Sequence, residues 1–298
     1  MRIANFPLIR ISHTITVLLL ASFAMLRADE KNVGLSVELL KSEFQVCEEV
    51  TLYVLVENQS ADTLRLPELD EKDRSWIDIS LYDSNGNRLK YSGIIPNRVG
   101  PKELKRAVPP NDTTVFAISL INGYGSGGWR QRYPSHFPPG SYSVKAQFKQ
   151  QKRSNNISFR IVELNDDADK LIAESWDLLR SEAGEPEKIA LLEAAVDSNP
   201  DCVVTSRVCL WLLHRLAKDP RLEESKSHYW RFYVAHYPES YAFVSGLKWL
   251  AERSTDEDVV KSLRQCREGK RNEIVDLLLR KTLSEMGRAD LFEKVMMQ

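Results

Sequence analysis

The sequence predicts an antiparallel β-sandwich of two sheets followed by an all-α domain. Three observations carry that fold class. Apolar residues alternate with period two from Val33 to Leu164, then recur with a period near 3.6 from Asp166 onward, and the change happens once. The β part consists of short runs separated by turn residues, with no helical pattern between them, which calls for antiparallel sheets packed face to face. The α part is divided by prolines into short amphipathic pieces that cannot bury an apolar face alone, so stacking of neighbours is expected. The predicted boundaries are 1–28 for an export segment, 30–165 for the sandwich and 166–298 for the helices.

The first 28 residues have the pattern of an export signal. Arg2 and Arg10 supply positive charge, Ile15 to Leu26 form an apolar core, and small residues place cleavage after Ala24 or Ala28. The apolar run is shorter than the roughly 20 residues that a spanning helix needs. A soluble exported protein, periplasmic or extracellular, is therefore expected, and an uncleaved signal anchor is the alternative route to a membrane.

In the β part, "EVTLYVLVEN" turns Val50, Leu52, Val54 and Val56 to one face and Thr51, Tyr53, Leu55 and Glu57 to the other. Further strands are expected at 76–83, 114–120, 141–148 and 157–164. "DSNGN", Asp83 to Asn87, contains the Asn-Gly pair of a tight hairpin with both central residues at positive φ. About seven strands would suit the size class of an immunoglobulin-like domain. The segment Ile121 to His136 is longer than a hairpin loop. After it, Pro138, Pro139 and Gly140 aim the next strand, and the Tyr142 hydroxyl is expected to tie that turn to backbone.

The helical part opens at an Asn/Asp cap, with Leu171, Ile172, Trp176 and Leu179 on one face and Gly184 as the stop. The next helix has Pro186 in its first turn, turns Ile189, Leu192, Ala195 and Val196 inward, and ends at Asn199-Pro200. Asp219-Pro220, Tyr237-Pro238 and Gly269 mark later breaks. Cys202 and Cys209, on one expected helix, are too far apart along its axis to bond, which leaves Cys202 or Cys209 with Cys266 as the expected disulfide.

With 41 basic and 42 acidic residues the formal net charge is -1, so no basic field gathers nucleic acid, and no nucleic-acid partner is expected. Segment 30–165 carries 18 basic and 16 acidic residues (+2) and 166–298 carries 20 and 25 (-5). No cofactor is expected.

"FQVCEEVTLYVLVENQS" followed by "FPPGSYSVKAQF" resembles bacterial exported immunoglobulin-like domains, whose outline recurs in a small proteinase-inhibitor fold. Cys47 stands where that outline commonly has glycine. "LLEAAVDSNPD" and "FYVAHYPESYAFVSGLKWLAE" resemble helix-turn-helix units of tetratricopeptide-like repeats. These resemblances imply a protein-binding or scaffold role, or inhibition of an extracytoplasmic peptidase through the 121–139 loop.

The aromatic insertion is the expected partner site: Tyr124, Trp129, Arg130, Arg132, Tyr133, His136 and Phe137 are of types enriched at binding hot spots. The competing reading is that they cap the sandwich or pack on the helices. Metal binding has little support, since His228 and His236 lack the i, i+4 spacing with an intervening Glu. Glu48 and Glu49, and Asp70 to Asp73, are expected on solvated faces, and Glu68 to Asp73 is a weak candidate for calcium. Asn58, Asn111 and Asn156 begin Asn-x-Ser/Thr triplets near turns. No catalytic residue is assigned. An exported hydrolase would need titratable groups gathered between the two parts by the fold.

Overall fold

A computed structural model describes residues 32–66, 77–91, 106–125, 134–148, 152–269 and 272–297. The export segment, Asp70 to Asp73 and Glu68 lie outside them. Among the described residues no helix is long and apolar enough to cross a membrane.

The chain is β then α, as the change of period predicts. One sheet has the order β1 (Val33–Glu38), β3 (Thr51–Asn58), β7 (Thr113–Ser119), all antiparallel. The other runs β2 (Glu43–Gln45), β10 (Ile157–Val162), β8 (Gly140–Phe148), β5 (Ile77–Asp83), with β9 (Lys152–Arg153) also on β8. A small third ladder pairs β4 (Leu64–Leu66) with β6 (Arg106–Val108). The second sheet corrects the all-antiparallel expectation, because β2 pairs with β10 in parallel. The chain switches sheets between β1 and β2, and alternation of apolar residues cannot reveal which sheet a strand joins.

The period-two reading of β3 holds on both faces. Leu52, Val54 and Val56 join Phe116, Ile118, Leu81, Val144 and Phe159 in a core between the two sheets. Tyr53 points the other way and lies with Val115 in a second core made by the later helices. The first sheet is therefore buried on both faces, and the helices cover its outer one.

The short helix α1 (Leu120–Tyr124) follows β7 directly, capped by the Ser119 hydroxyl. Then come α2 (Asp166–Arg180), α3 (Glu185–Ser198), α4 (Thr205–Leu216), a 3-10 turn (Pro220–Leu222), α5 (Glu223–His236), α6 (Phe243–Arg253), α7 (Asp256–Gly269), α8 (Glu273–Glu285) and α9 (Ala289–Met296). Asn165 caps α2 as expected, with its side chain accepting from Ala168 N, and Leu171, Ile172, Trp176 and Leu179 are buried. Gly184 does not stop α2; it is the N-cap of α3 at φ -63°, a conformation open to any residue. Gly246 has a stricter role, since a Cβ there would come within 2.8 Å of the Trp230 ring and push α5 and α6 apart.

Three further expectations change. Asn85-Gly86 turns with only Gly86 at positive φ, while the Asp83 carboxylate accepts from the backbone of Asn85 and Asn87 and holds the loop. Cys202 is in the turn before α4 rather than on a helix with Cys209. All four cysteines are thiols, so the expected disulfide between Cys202 or Cys209 and Cys266 is not formed in this structure. Cys209 is buried in α4, with its Sγ 4.0 Å from the Tyr229 carbonyl on α5.

Candidate functional site

The aromatic insertion is largely scaffold where it is described. Tyr124 is buried, donates its hydroxyl to the Ile79 carbonyl and sets its ring edge-on to Tyr91 at 5.4 Å. Phe137 is 1% exposed and packs against Tyr142 and Phe159 at centroid distances of 5.3 and 6.2 Å. Both are therefore core residues rather than contact residues, the outcome apolar ring area favours when a sheet end needs closing. His136 is half-buried with Nδ1 2.8 Å from the Pro134 carbonyl. Trp129, Arg130, Arg132 and Tyr133 lie outside the described residues. The expected tie is present: Tyr142 donates to the Pro138 carbonyl at 2.8 Å.

A different site forms where the β part meets the helices. Its first wall is the turn Gln45–Glu48, closed by Glu48 N donating to Gln45 O at 3.0 Å. Cys47 takes φ +64° there, a left-handed conformation that favours glycine, and its side chain is buried. The turn folds the Glu48 carboxylate back onto the protein, where Oε2 accepts from Gln45 N at 2.9 Å and Oε1 pairs with the Lys41 ammonium. Glu48 is only 9% exposed, which overturns its reading as a solvated charge. Arg207, buried on α4, donates to the Cys47 carbonyl at 3.3 Å and joins this wall to the helices. Burial pushes the Cys47 thiol up to about 11, against the pull of Arg207 and with a smaller push from Asp169.

The second wall comes from the breaks that the prolines impose. The Pro200–Val203 turn and the Tyr237–Ser240 turn lie side by side because the Tyr237 hydroxyl donates to the Pro200 carbonyl at 2.8 Å. Ser240 N donates to Tyr237 O at 3.1 Å and its hydroxyl pairs with Tyr233, so the second turn is fixed from beneath. Two bonds then fasten that turn to β3: Tyr53 donates to the Glu239 carbonyl at 2.7 Å, and Tyr241 N donates to the Thr51 hydroxyl at 3.0 Å. Gln265 and Cys266 of α7 complete the lining.

The resulting cleft has a volume of about 470 Å³, within the range of small-molecule and side-chain sites. Among the described residues its lining includes Glu48, Glu49, Asp201, Glu239 and Lys41, together with Cys202 and Cys266. His236 lies at the cleft and stacks on Phe232 with ring centroids 4.3 Å apart, an orientation set by packing rather than by a hydroxyl or thiol partner. Burial pushes the Tyr237 hydroxyl upward, so it acts as a donor throughout the neutral range. Among the described residues no group of three His, Cys, Asp or Glu side chains is placed to hold a metal ion.

Glu48, Glu239 and the two proline turns were visible in the sequence only as turn chemistry. Their meeting depends on Tyr53 bonding the Glu239 carbonyl 186 residues on and on Thr51 bonding Tyr241 N 190 residues on, for which no local signal exists.

A β-plus-α chain with a polar cleft between its parts is the class the fold and site define. No family model and no curated protein matches it. Some solved structures show partial likeness. An alkylpurine DNA glycosylase of Pseudomonas fluorescens, bound to DNA containing an abasic site analog, is 12% identical, with 44% of this chain and 30% of that one covered at a TM-score of 0.27. A β-glucosidase of Erythrobacter marinus is 16% identical over 44% and 15%, also at 0.27. The sporulation control protein Spo0M of Bacillus subtilis is 14% identical over 50% and 56%, at 0.23. The chain thus spans well under two thirds of each, and overlaps this loose carry no argument about its role.

Proposed function

We propose that this is an exported, non-enzymatic protein-binding module that holds a segment of a partner polypeptide in the cleft between its two parts. On this reading the β part is an immunoglobulin-like sandwich and the helices are a short tetratricopeptide-like array, each offering one wall. The observation that carries the proposal is the cleft of about 470 Å³, lined from both parts by hydrogen-bonding side chains. Extended peptides are read by such combinations of backbone-facing polar groups and side-chain pockets. Burial of Tyr124 and Phe137 moves the proposed contact surface from the 121–139 loop to this cleft.

The test is selection of peptides from a displayed random library on the full mature chain, repeated after Cys202 is blocked with a bulky maleimide. Enrichment that the block abolishes supports the reading. Enrichment indifferent to the block places binding elsewhere, and no enrichment removes the proposal.

A further inference from the structure

We propose that Asn85 is a site of spontaneous deamidation and backbone isomerisation in the folded protein, and that Asp83 sets its rate. The chain contains two Asn-Gly pairs, Asn85-Gly86 and Asn122-Gly123. A following glycine makes asparagine labile, because with no Cβ in the way its backbone nitrogen can reach the asparagine Cγ. That nitrogen gives its proton to water or buffer base and bonds to Cγ, the Cγ–Nδ2 bond breaks, and ammonia leaves. Water then opens the five-membered imide. Opening at Cγ gives aspartate, and opening at the main-chain carbonyl gives isoaspartate, with the chain rerouted through Cβ and Cγ. The net change is amide and water to carboxylate and ammonium, which needs neither an oxidant nor an enzyme.

The fold separates the two pairs. Asn122 is in α1, Gly123 beside it is buried, and the Asn122 amide nitrogen donates to the Tyr241 hydroxyl at 3.1 Å. Ring closure there has to twist the backbone out of its helical ψ and break a bond to the helical part. Asn85 and Gly86 are exposed at the tip of the hairpin after β5, and a Cβ built on Gly86 meets nothing within 4 Å among the described residues. The bonds that hold this pair are local. Gly86 N donates to the Asp83 carbonyl at 3.0 Å, and Asp83 Oδ1 accepts from Asn85 N and Asn87 N, each at 2.9 Å. Asn87 Nδ2 donates to Oδ2 at 3.1 Å. Hydrogen bonds from the Asn87 side chain, then from the backbone of Asn87 and Asn85, hold the Asp83 carboxyl below its ordinary range, so this bracket is charged at neutral pH. While the bracket is closed the Gly86 nitrogen is engaged with Asp83, and each opening of the exposed loop releases it. Either product puts a second carboxylate beside Asp83, and isoaspartate also lengthens the backbone within the turn, so the change is one-way.

The test incubates the folded full chain, and the same chain in concentrated guanidinium, in mildly alkaline buffer. Aspartate and isoaspartate at Asn85 and Asn122 are read by peptide mass spectrometry with isoaspartyl methyltransferase labelling, and each site's folded rate is divided by its rate in denaturant. That quotient is expected to be roughly tenfold or more higher for Asn85 than for Asn122, since Asn85 needs only a local opening. Asp83→Ala is expected to speed conversion at Asn85 several-fold and to leave Asn122 unchanged, which separates a loosened loop from global unfolding. Equal quotients, or an Asn85 that stays intact in the folded chain while the denatured chain is consumed, overturn the assignment of the site. An Asp83→Ala chain whose Asn85 converts no faster overturns the role of Asp83. If both sites speed up together in that variant, Asp83→Asn is read in its place, because it keeps the shape and removes the charge, and no selective rise at Asn85 there overturns the role as well.

Discussion

Tyr53 is where the two parts of the chain are joined, and its truncation tests whether the cleft is rigid. The side chain lies on the outer face of β3, fully buried among helical residues such as Val234, Phe243 and Leu247, and its hydroxyl donates to the Glu239 carbonyl at 2.7 Å. Tyr53→Phe keeps the ring and strands one buried carbonyl, a loss of about 1–2 kcal/mol. Tyr53→Ala also opens a ring-sized cavity between sheet and helices, for a total of about 3–5 kcal/mol. At about 2–4 °C per kcal/mol for a chain of this size, the second variant melts roughly 10 °C lower. The assay is thermal unfolding followed by far-ultraviolet circular dichroism, with hydrogen exchange read separately on strand peptides and on α5 to α8. One core predicts that both sets lose protection together and that a single transition moves. Helices that keep their protection while β3 and β7 lose theirs would refute the reasoning, because the parts would then be independent and the cleft a hinge.

Thiol labelling should follow burial: Cys202 reacts first with a maleimide, and Cys47, pushed up to about 11, carries roughly a thousandth of its thiolate at pH 8, so peptide mapping finds it modified last along with Cys209. Asn58→Ala should cost about 3 kcal/mol or more in denaturant unfolding, since its fully buried amide donates to the carbonyls of Asp62 and Val108 and accepts from Ser60, and all lose their partner at once. At Asp112 burial alone would raise the carboxyl, but hydrogen bonds from Lys281 and Thr113 N and the charges of Lys281 and Arg280 hold it below the ordinary range. A folded-state value below the unfolded one means the tie between the β6–β7 turn and α8 is present above about pH 4 and is lost as pH falls through the lowered value. Lys281→Met should flatten that acid-side slope while costing no more than about 1 kcal/mol at neutral pH, measured by urea midpoints across the acid range.

What the sequence makes legible here is whatever one element decides for itself. The faces of β3, the Asn165 cap, the Pro186 first turn and the Tyr142 tie each depend on residues within a few positions, and each is found as read. The parallel β2–β10 pair and the cleft depend on which distant elements meet, and local chemistry is silent about that. Glu48 shows the difference in a single residue: its neighbours Cys47 and Glu49 and the nearby turn look like surface, so a solvated carboxylate is the natural reading. It is buried because Lys41 and the Gln45 amide satisfy its two oxygens and because Arg207, 160 residues later, closes over the Cys47 carbonyl. The aromatic insertion errs in the opposite direction. Tyrosine and phenylalanine are enriched both at interfaces and in cores, so composition alone gives the same signal for Tyr124 and Phe137 in either place. Only the Ile79 carbonyl beneath Tyr124 and the rings around Phe137 separate the two cases. Cys47 is a third case: the sequence places it at a turn, while its positive φ and the burial that raises its thiol appear only in the fold. The cleft's shape is therefore a product of the join, and a substitution that leaves each part folded but loosens Tyr53 or Arg207 is expected to alter that shape without touching a lining side chain.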